Sequence, residues 1–101
     1  MYGSIFRMKV KSGKEQELKD VFEEWERDRK PKIQGTIHSL VLKADDKPGE
    51  FMGVAIFPNK SSYSANAEDP AQDKWYKKMR ELLEDDPEWE DGEFILGDLS
   101  V

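Results

Sequence analysis

The sequence predicts an α+β domain of the ferredoxin-like kind, with its elements in the order β-α-β-β-α-β. Three observations lead to this prediction. Apolar and polar residues alternate in four short segments, which is typical of strands, and two longer segments repeat apolar residues every three to four positions, which is typical of helices. The third observation is their order along the chain. In such a domain two helices cover one face of a four-stranded antiparallel sheet.

Length, charge and composition limit the class of protein. The 101 residues predict a single domain over residues 1–101. The net charge is −6 and basic residues are interspersed with acids, so we expect no nucleic-acid partner. No apolar segment approaches the roughly 20 residues that span a bilayer, so we expect no membrane partner. The chain lacks cysteine and a signal-peptide pattern, which favours the cytoplasm.

The first strand and the first helix are predicted from a change of period. Residues 2–11 alternate, with Phe6 and Met8 on one side of the predicted strand. Residues 14–29 predict a charged helix whose single apolar stripe consists of Leu18, Val21, Phe22 and Trp25. Ser12 is the predicted N-cap of this helix, because its hydroxyl can accept from an unpaired backbone N–H group.

The next two strands are predicted to form a hairpin. Residues 36–43 alternate, with one face formed by Thr36, His38, Leu40 and Leu42. Residues 45–49 contain Asp, Pro and Gly, which favour a turn. Residues 50–57 are apolar on both faces, which predicts a central strand that is covered on both sides.

The second helical region is predicted in two pieces, followed by the last strand. Residues 60–67 predict a short helix that begins at Ser61 or Ser62. A longer helix runs from about residue 69 to 84, with an apolar face formed by Trp75, Met79, Leu82 and Leu83. Residues 93–99 are the predicted final strand.

One face of this sheet carries apolar residues that neither helix can cover. They include Ile5 and alternate residues of the second and third strands. Two such sheets packed face to face would remove this surface from water. The sequence therefore predicts a homodimer formed through the sheet face.

Six segments carry a resemblance to a known family: Tyr2-Gly3-Ser4-Ile5-Phe6-Arg7, Gly13-Lys14-Glu15, Glu50-Phe51-Met52-Gly53-Val54-Ala55, Tyr63-Ser64-Ala65-Asn66, Asp73-Lys74-Trp75-Tyr76 and Trp89-Glu90-Asp91-Gly92-Glu93. Together, over nearly the whole chain, they resemble the antibiotic biosynthesis monooxygenase family of dimeric α/β barrels. The resemblance implies a homodimer with a cavity between sheet and helices in each protomer. Some members of this family oxidise polyketide-type phenols to quinones with molecular oxygen and no cofactor, and others degrade haem, isomerise or decarboxylate.

The resemblance implies a cofactor-independent monooxygenase that acts on a small aromatic, phenolic or polyketide-like compound. In cofactor-free members an Asn, a Trp and a Tyr in this part of the fold hold the anionic substrate and its oxygen adduct. The matching candidates are Asn66, as a donor to the oxyanion, and Tyr63, Trp75 and Tyr76, as pocket walls. The alternative is that Asn66 caps a helix, that the aromatic residues belong to the core, and that the protein is a dimeric small-ligand-binding module without catalysis.

Two strand residues are further catalytic candidates. His38 is the only histidine, and its ordinary pKa makes it a candidate general base for a phenol. The alternative is a hydrogen-bonded or edge-exposed histidine. Arg7 is a candidate for orienting a carboxylate or phenolate, with an intersubunit ion pair as the alternative.

No metal or haem site is expected from the sequence. No second His or carboxylate accompanies His38 at a recognisable ligand spacing. In the haem-degrading branch of the similar family, an axial histidine comes from the second long helix. The matching stretch here has no histidine, and Tyr76 lies closest to that place. Haem degradation is therefore not favoured.

Overall fold

The computed structural model describes residues 1–98 and contains one antiparallel sheet with the strand order β2-β3-β1-β4. The strands are β1 (Tyr2–Lys9), β2 (His38–Lys43), β3 (Glu50–Phe57) and β4 (Glu88–Glu93). The helices are α1 (Glu15–Glu24), α2 (Lys60–Glu68) and α3 (Pro70–Glu81). The predicted α+β, ferredoxin-like fold is confirmed. Within the described residues, no helix is long and apolar enough to cross a membrane.

The strand registers define two faces of the sheet. Phe6 of β1 lies opposite Gly53 of β3 and Trp89 of β4, so these three positions share one face. We call this the covered face, because the helices pack on it; its other members include Ser4, Met8, Val41, Ala55, Phe57 and Asp91. The open face, on the other side, contains Ile5, Arg7, His38, Leu40, Leu42, Met52, Val54, Ile56, Glu88 and Glu90.

The hydrophobic core lies between the covered face and the helices. The stripe predicted on α1 packs there, with Leu18 only 1% exposed. The apolar face predicted on the second long helix is buried as well, with Met79 and Leu83 fully buried. The helix ends at Glu81 and not at the predicted residue 84, because Leu83 forms an isolated β-bridge with Val10. Burial of each such side chain stabilises the fold by about 1.5–3 kcal/mol. Both helices are therefore held mainly by their apolar stripes.

Two glycines meet specific steric needs of the sheet. Gly53 lies directly under the Phe6 ring, and a Cβ atom at this position would overlap the ring atoms. Gly49 has φ 80°, in the left-handed region that favours glycine, and it ends the turn that joins β2 and β3. Backbone hydrogen bonds from Ala44 N to Glu50 O, 3.0 Å, and from Val10 N to Gly49 O, 2.8 Å, fix this turn beside β1.

The predicted N-caps of α1 and α2 are wrong. The cap of α1 is Lys14, with no side-chain hydrogen bond, because a turn at Gly13, with φ 79°, separates Ser12 from the helix. The cap of α2 is Asn59, whose side-chain oxygen accepts from the backbone N–H of Ser62 at 2.8 Å. The side-chain amide of Asn59, the residue just before α2, therefore has the capping role that we predicted for Ser61 or Ser62.

The position of the last strand is also a correction. Residues 93–99 were the predicted strand, but β4 is the acidic segment Glu88–Glu93, which pairs with β1. Backbone hydrogen bonds to β1 determine the position of this strand, because only one of its faces contacts the core and its apolar signal is weak. The apolar side chains of Ile95 and Leu96 are 88% and 93% exposed, and Leu99 lies outside the described residues.

The predicted helix over residues 14–29 is α-helical only as far as Glu24. The chain then forms a π-helical turn, Trp25–Arg29, which ends where the helix was predicted to end, and a 3-10 turn, Lys30–Lys32. The π-helical turn buries both its first and its last residue, which are 6% and 8% exposed. This arrangement carries an indole and a guanidinium towards α2 and α3, where they meet the candidate site.

Candidate functional site

A cavity of about 320 Å³ lies between the covered face and the three helices. It is lined by residues of all four strands and all three helices. Among its lining residues, Ala67 and Asp73 are exposed, so the cavity is open to the surface. Eight of its 20 lining residues are aromatic: Phe6, Phe22, Trp25, Phe57, Tyr63, Trp75, Tyr76 and Trp89.

The aromatic walls are packed against each other. The ring centroids of Phe22 and Trp75 are 5.4 Å apart in an edge-to-face arrangement, and those of Trp25 and Trp75 are 6.3 Å apart. On the strand side, the rings of Phe6 and Trp89 are 4.7 Å apart. Contacts of this kind stabilise ring orientation beyond simple burial. The cavity therefore has preformed flat apolar surfaces.

On the helical side of the site, the indole N–H groups of Trp25 and Trp75 are already used within the protein. Trp75 Nε1 donates to the backbone carbonyl of Val21 at 2.8 Å, and Trp25 Nε1 donates to Gln72 Oε1 at 2.9 Å. An indole carries only this one donor. The two tryptophans can therefore contact a ligand through their rings but have no free N–H group for it.

Asn66 lines the cavity from α2 and is half-buried. Its Oδ1 accepts a 2.6 Å hydrogen bond from Arg29 Nη2. Arg29 also lies 3.4 Å from the carboxylate of Asp69. Within residues 1–98 no partner is found for Asn66 Nδ2, so this amide group has donors available for a ligand.

Tyr63 contributes its ring to the wall, and its hydroxyl is occupied. The hydroxyl donates to Asp91 Oδ1 at 2.8 Å, and the ring packs edge-to-face on Phe57 with centroids 5.2 Å apart. Burial, with the neighbouring Asp91 carboxylate, raises the pKa of Tyr63 to about 12, although Ser4 opposes the shift. Tyr63 therefore stays neutral near pH 7, with its proton directed at Asp91.

Tyr76 lies on α3 and also lines the cavity. Its ring centroid is 6.2 Å from that of Trp89. Burial and then the charge of Asp86 raise the pKa of Tyr76 above its ordinary value. The Tyr76 hydroxyl therefore stays protonated near pH 7.

His38 and Arg7 do not join this cavity. His38 is the first residue of β2 and lies opposite Ile56, and Arg7 lies opposite Met52 and Glu88, so both side chains are on the open face. Successive residues of a strand point to opposite faces, and both positions are out of phase with the cavity walls. In the single chain, His38 and Arg7 therefore lie on the opposite side of the sheet from Asn66, and their catalytic roles stay predictions.

The polar lining residues that the sequence reasoning did not single out include Gln72 and Asp91. Asp91 was missed because the predicted last strand began only at residue 93. The available signal was its position two residues after Trp89, which puts both on one strand face. Gln72 lies three residues before Trp75 and so shares its helix face. Within the described residues, no group of three or more His, Cys, Asp or Glu side chains could hold a metal ion.

The fold is shared with several solved structures. An asparagine-to-alanine variant of SnoaB, a cofactor-independent oxygenase from Streptomyces nogalater, superposes with TM-score 0.82, 14% identity, and coverage of 95% of this chain and 94% of that one. A candidate antibiotic biosynthesis monooxygenase from Caulobacter crescentus has TM-score 0.82, 14% identity, and coverage of 94% and 90%. A protein of unknown function from Nitrosomonas europaea has TM-score 0.79, 20% identity, and coverage of 99% and 94%.

This chain has the fold of these proteins. The resemblance to the antibiotic biosynthesis monooxygenases is thus supported at the level of the fold, by neighbours that carry that name and cover nearly the whole chain. No family model matches the sequence, and a comparison with curated proteins finds no relative. Because a fold hosts many activities, the function has to be argued from the cavity itself.

Proposed function

We propose that the protein is a cofactor-independent oxygenase that oxidises a small aromatic, phenolic or polyketide-like compound in the cavity between sheet and helices. The observation that carries this proposal is the amide nitrogen of Asn66, which has no partner among residues 1–98, in a cavity whose lining includes eight aromatic residues. An amide N–H group can stabilise an oxygen atom that gains negative charge, and aromatic walls exclude water from a flat ring system. The fold shared with SnoaB, which is named a cofactor-independent oxygenase, supports the same class of reaction.

The reaction proposed is the conversion of a ring CH₂ or C–H group into a carbonyl. For an anthrone-type compound, the carbon loses two hydrogens and gains one oxygen atom from O₂, and the second oxygen atom leaves as water. The substrate first loses a proton, which creates an anion with charge on its oxygen. Asn66 would donate to this oxygen, while Trp75, Tyr76 and Tyr63 hold the ring. Because His38 lies on the open face, the proton would pass to one of the carboxylates that line the cavity, Asp73 or Asp91.

Oxygen consumption by the purified, metal-free protein tests the proposal. We expect turnover with at least one member of a panel of anthrone- and hydroquinone-type phenols. Asn66→Ala should lower kcat by about 10²–10³-fold, as is typical when one oxyanion donor is removed. The matched control is Glu68→Ala, an exposed change on the same helix and outside the cavity lining. A flat trace with every compound would contradict the proposal.

The second candidate function is a module that binds a small ligand without turning it over. It is favoured by one observation: neither His38 nor Arg7, the predicted base and orienting cation, lines the cavity. In that case the aromatic compounds quench the fluorescence of the cavity tryptophans, but no oxygen is consumed. The pair of measurements separates the two functions.

We also propose that two copies pair through the open face. Ile5, Leu40 and Leu42 are 39%, 69% and 60% exposed on this face, beside Met52, Val54 and Ile56. Contiguous apolar surface of this kind marks an interaction site. Sheet-on-sheet packing would bury it against an identical surface, and the assembly would be a symmetric dimer.

A further inference from the structure

We propose that Arg29 and Trp25 are positioning residues that hold the amides of Asn66 and Gln72 as hydrogen-bond donors in the cavity. The site would then select ligands that present an acceptor oxygen, such as a carbonyl or phenolate. This inference deepens the proposed function and rests on it for the aromatic nature of the ligand. The inference gives new roles to three residues. Arg29 and Gln72 were not singled out from the sequence, and Trp25 was named only as part of an apolar stripe.

The first contact joins Arg29 to Asn66. Arg29 is 8% exposed, and its Nη2 lies 2.6 Å from Asn66 Oδ1. A guanidinium carries donors and no acceptor, so only the oxygen of the amide can face it. The NH₂ group of Asn66 must then point away from Arg29. The orientation of this amide follows from the chemistry of its partner and does not depend on telling O from N.

The second contact repeats this logic. Trp25 Nε1 lies 2.9 Å from Gln72 Oε1, and an indole N–H group can only donate. The oxygen of Gln72 therefore faces Trp25, and its NH₂ group is free. Asn66 and Gln72 both line the cavity, and neither amide nitrogen has a partner among residues 1–98. The helical side of the cavity thus offers donors.

The strand side of the cavity has the opposite character. Asp91 on β4 is an acceptor, and it already receives the hydroxyl proton of Tyr63. A ligand with an oxygen acceptor is favoured near the amides of Asn66 and Gln72 and repelled near Asp91. The carboxylate that α3 adds to the lining, Asp73, is paired with Lys77 at 3.1 Å. The two sides therefore give an aromatic ligand one preferred orientation, with its oxygen towards Asn66 and Gln72.

Stability does not account for the burial of Arg29. Among the described residues, 1–98, its Nε is buried with no hydrogen-bond partner, and the one carboxylate that it contacts, Asp69, is 43% exposed. A buried cation with an unpaired donor is costly, and replacing such a group with an apolar residue is often neutral or stabilising. Positioning of Asn66 is a role that explains this arrangement.

Binding of 1-tetralone and tetralin, which differ by one carbonyl oxygen, tests the inference without any need for turnover. Tryptophan fluorescence or calorimetry gives the two dissociation constants. We expect the wild-type protein to bind the ketone about tenfold more tightly, which corresponds to one or two net hydrogen bonds. In Arg29→Met this preference should fall to about twofold, since the amide of Asn66 can then rotate. Trp25→Phe should lower it to the same extent as Gln72→Leu.

Two further variants separate positioning from a merely structural role. Asn66→Asp keeps an acceptor for Arg29 but replaces the ligand-facing donor, so we expect the ketone preference to vanish while the thermal unfolding midpoint does not fall. In Asn66→Leu the preference for the ketone should be as low as in Arg29→Met. The double variant, Asn66→Leu with Arg29→Met, should show no further loss of this preference. If Arg29→Met fails to fold, Trp25→Phe and Asn66→Asp decide.

The inference is overturned if folded Arg29→Met or Trp25→Phe keeps the full preference, or if the wild-type protein binds the two compounds equally or not at all. Its failure differs from failure of the proposed function. A ketone preference without oxygen consumption would refute only the oxygenase. Oxygen consumption with an unchanged preference in the variants would refute only the positioning role.

Discussion

The two faces of the sheet are both rich in apolar residues, but they differ in what lies on them. On the covered face, Phe6 and Phe57 are 7% and 2% exposed under the helices. On the open face, Leu40 and Leu42 are 69% and 60% exposed. The apolar pattern of a strand therefore shows that a face needs cover, and it does not show whether the cover comes from the same chain. The covered face holds the candidate site, and the open face is the proposed dimer surface.

The largest expected effect on the free energy of unfolding comes from comparing a leucine of the core, Leu18, with a leucine of the open face, Leu40. Leu18→Ala should lower the free energy of unfolding by about 2–5 kcal/mol at any protein concentration, because it leaves a cavity in the core. Leu40→Ala should lower it only at concentrations at which the dimer forms. Denaturant unfolding at a low and a high protein concentration measures both effects. Equal losses for the two variants at low concentration would contradict the assignment of the faces.

The next largest effect on stability is expected from substitution of a glycine in the covered face, Gly53. Gly53→Ala should destabilise the chain by about 1–3 kcal/mol, since the new methyl group overlaps the Phe6 ring under the helices. Gly92→Ala on β4 is the matched control, because a Cβ atom there meets no other atom within 4 Å. Thermal or denaturant unfolding compares them. If both substitutions are neutral, the packing described for Phe6 is incorrect.

The contribution of Tyr63 to the stability of the covered face is expected to depend on pH. The substitution Tyr63→Phe removes the hydrogen bond to Asp91, and we expect a loss of about 0.5–1.5 kcal/mol near pH 7. The hydroxyl has a pKa of about 12 in the folded chain, above its ordinary 10.0. Its contribution is therefore complete below pH 10 and is lost as the pH rises towards 12. Tyrosinate absorbance during an alkaline titration should lack its latest component in the variant; an unchanged titration would contradict the assignment.

The smallest effect on the single chain is expected on the open face. Leu40→Lys should change the unfolding free energy of the isolated chain by no more than about 0.5 kcal/mol, as for other exposed positions. It should nevertheless shift the solution mass from a dimer to the single-chain value of 11.7 kDa, because a charge would enter the apolar interface. Sedimentation measures the mass, with Ser12→Lys as a charge-matched control on an exposed turn. A single-chain mass for the wild-type protein would refute the dimer.

Periodicity alone was sufficient for the elements that have one clear apolar stripe. The buried residues of the two long helical segments and the alternation in β1 were predicted correctly. An apolar repeat of about 3.6 residues is buried on one side only in a helix, and an apolar repeat of two residues only in a strand. The last strand was misplaced because Glu88–Glu93 carries little apolar signal. Its pairing with β1 depends on backbone hydrogen bonds, which any side chain permits.

The site divides in the same way. Asn66, Tyr63, Trp75 and Tyr76 were singled out through the family resemblance, and all four line the cavity. His38 and Arg7 were chosen for their chemistry alone, and the strand phase puts them on the open face. Arg29 gave no local signal, and Gln72 gave only its place on the helix face of Trp75. Their roles depend on distant partners, since Arg29 binds a residue 37 positions away and Gln72 binds one 47 positions away.

The sequence by itself determined the α+β class, the order of the elements and the apolar faces that must be buried, because these depend on the spacing of residues within single segments. The tertiary structure decided which acidic segment closes the sheet, which polar groups face the cavity and which way the amides of Asn66 and Gln72 point. Those outcomes depend on partners from distant segments. A donor-only partner such as Arg29 or Trp25 orients an amide only after the chain has brought the two together.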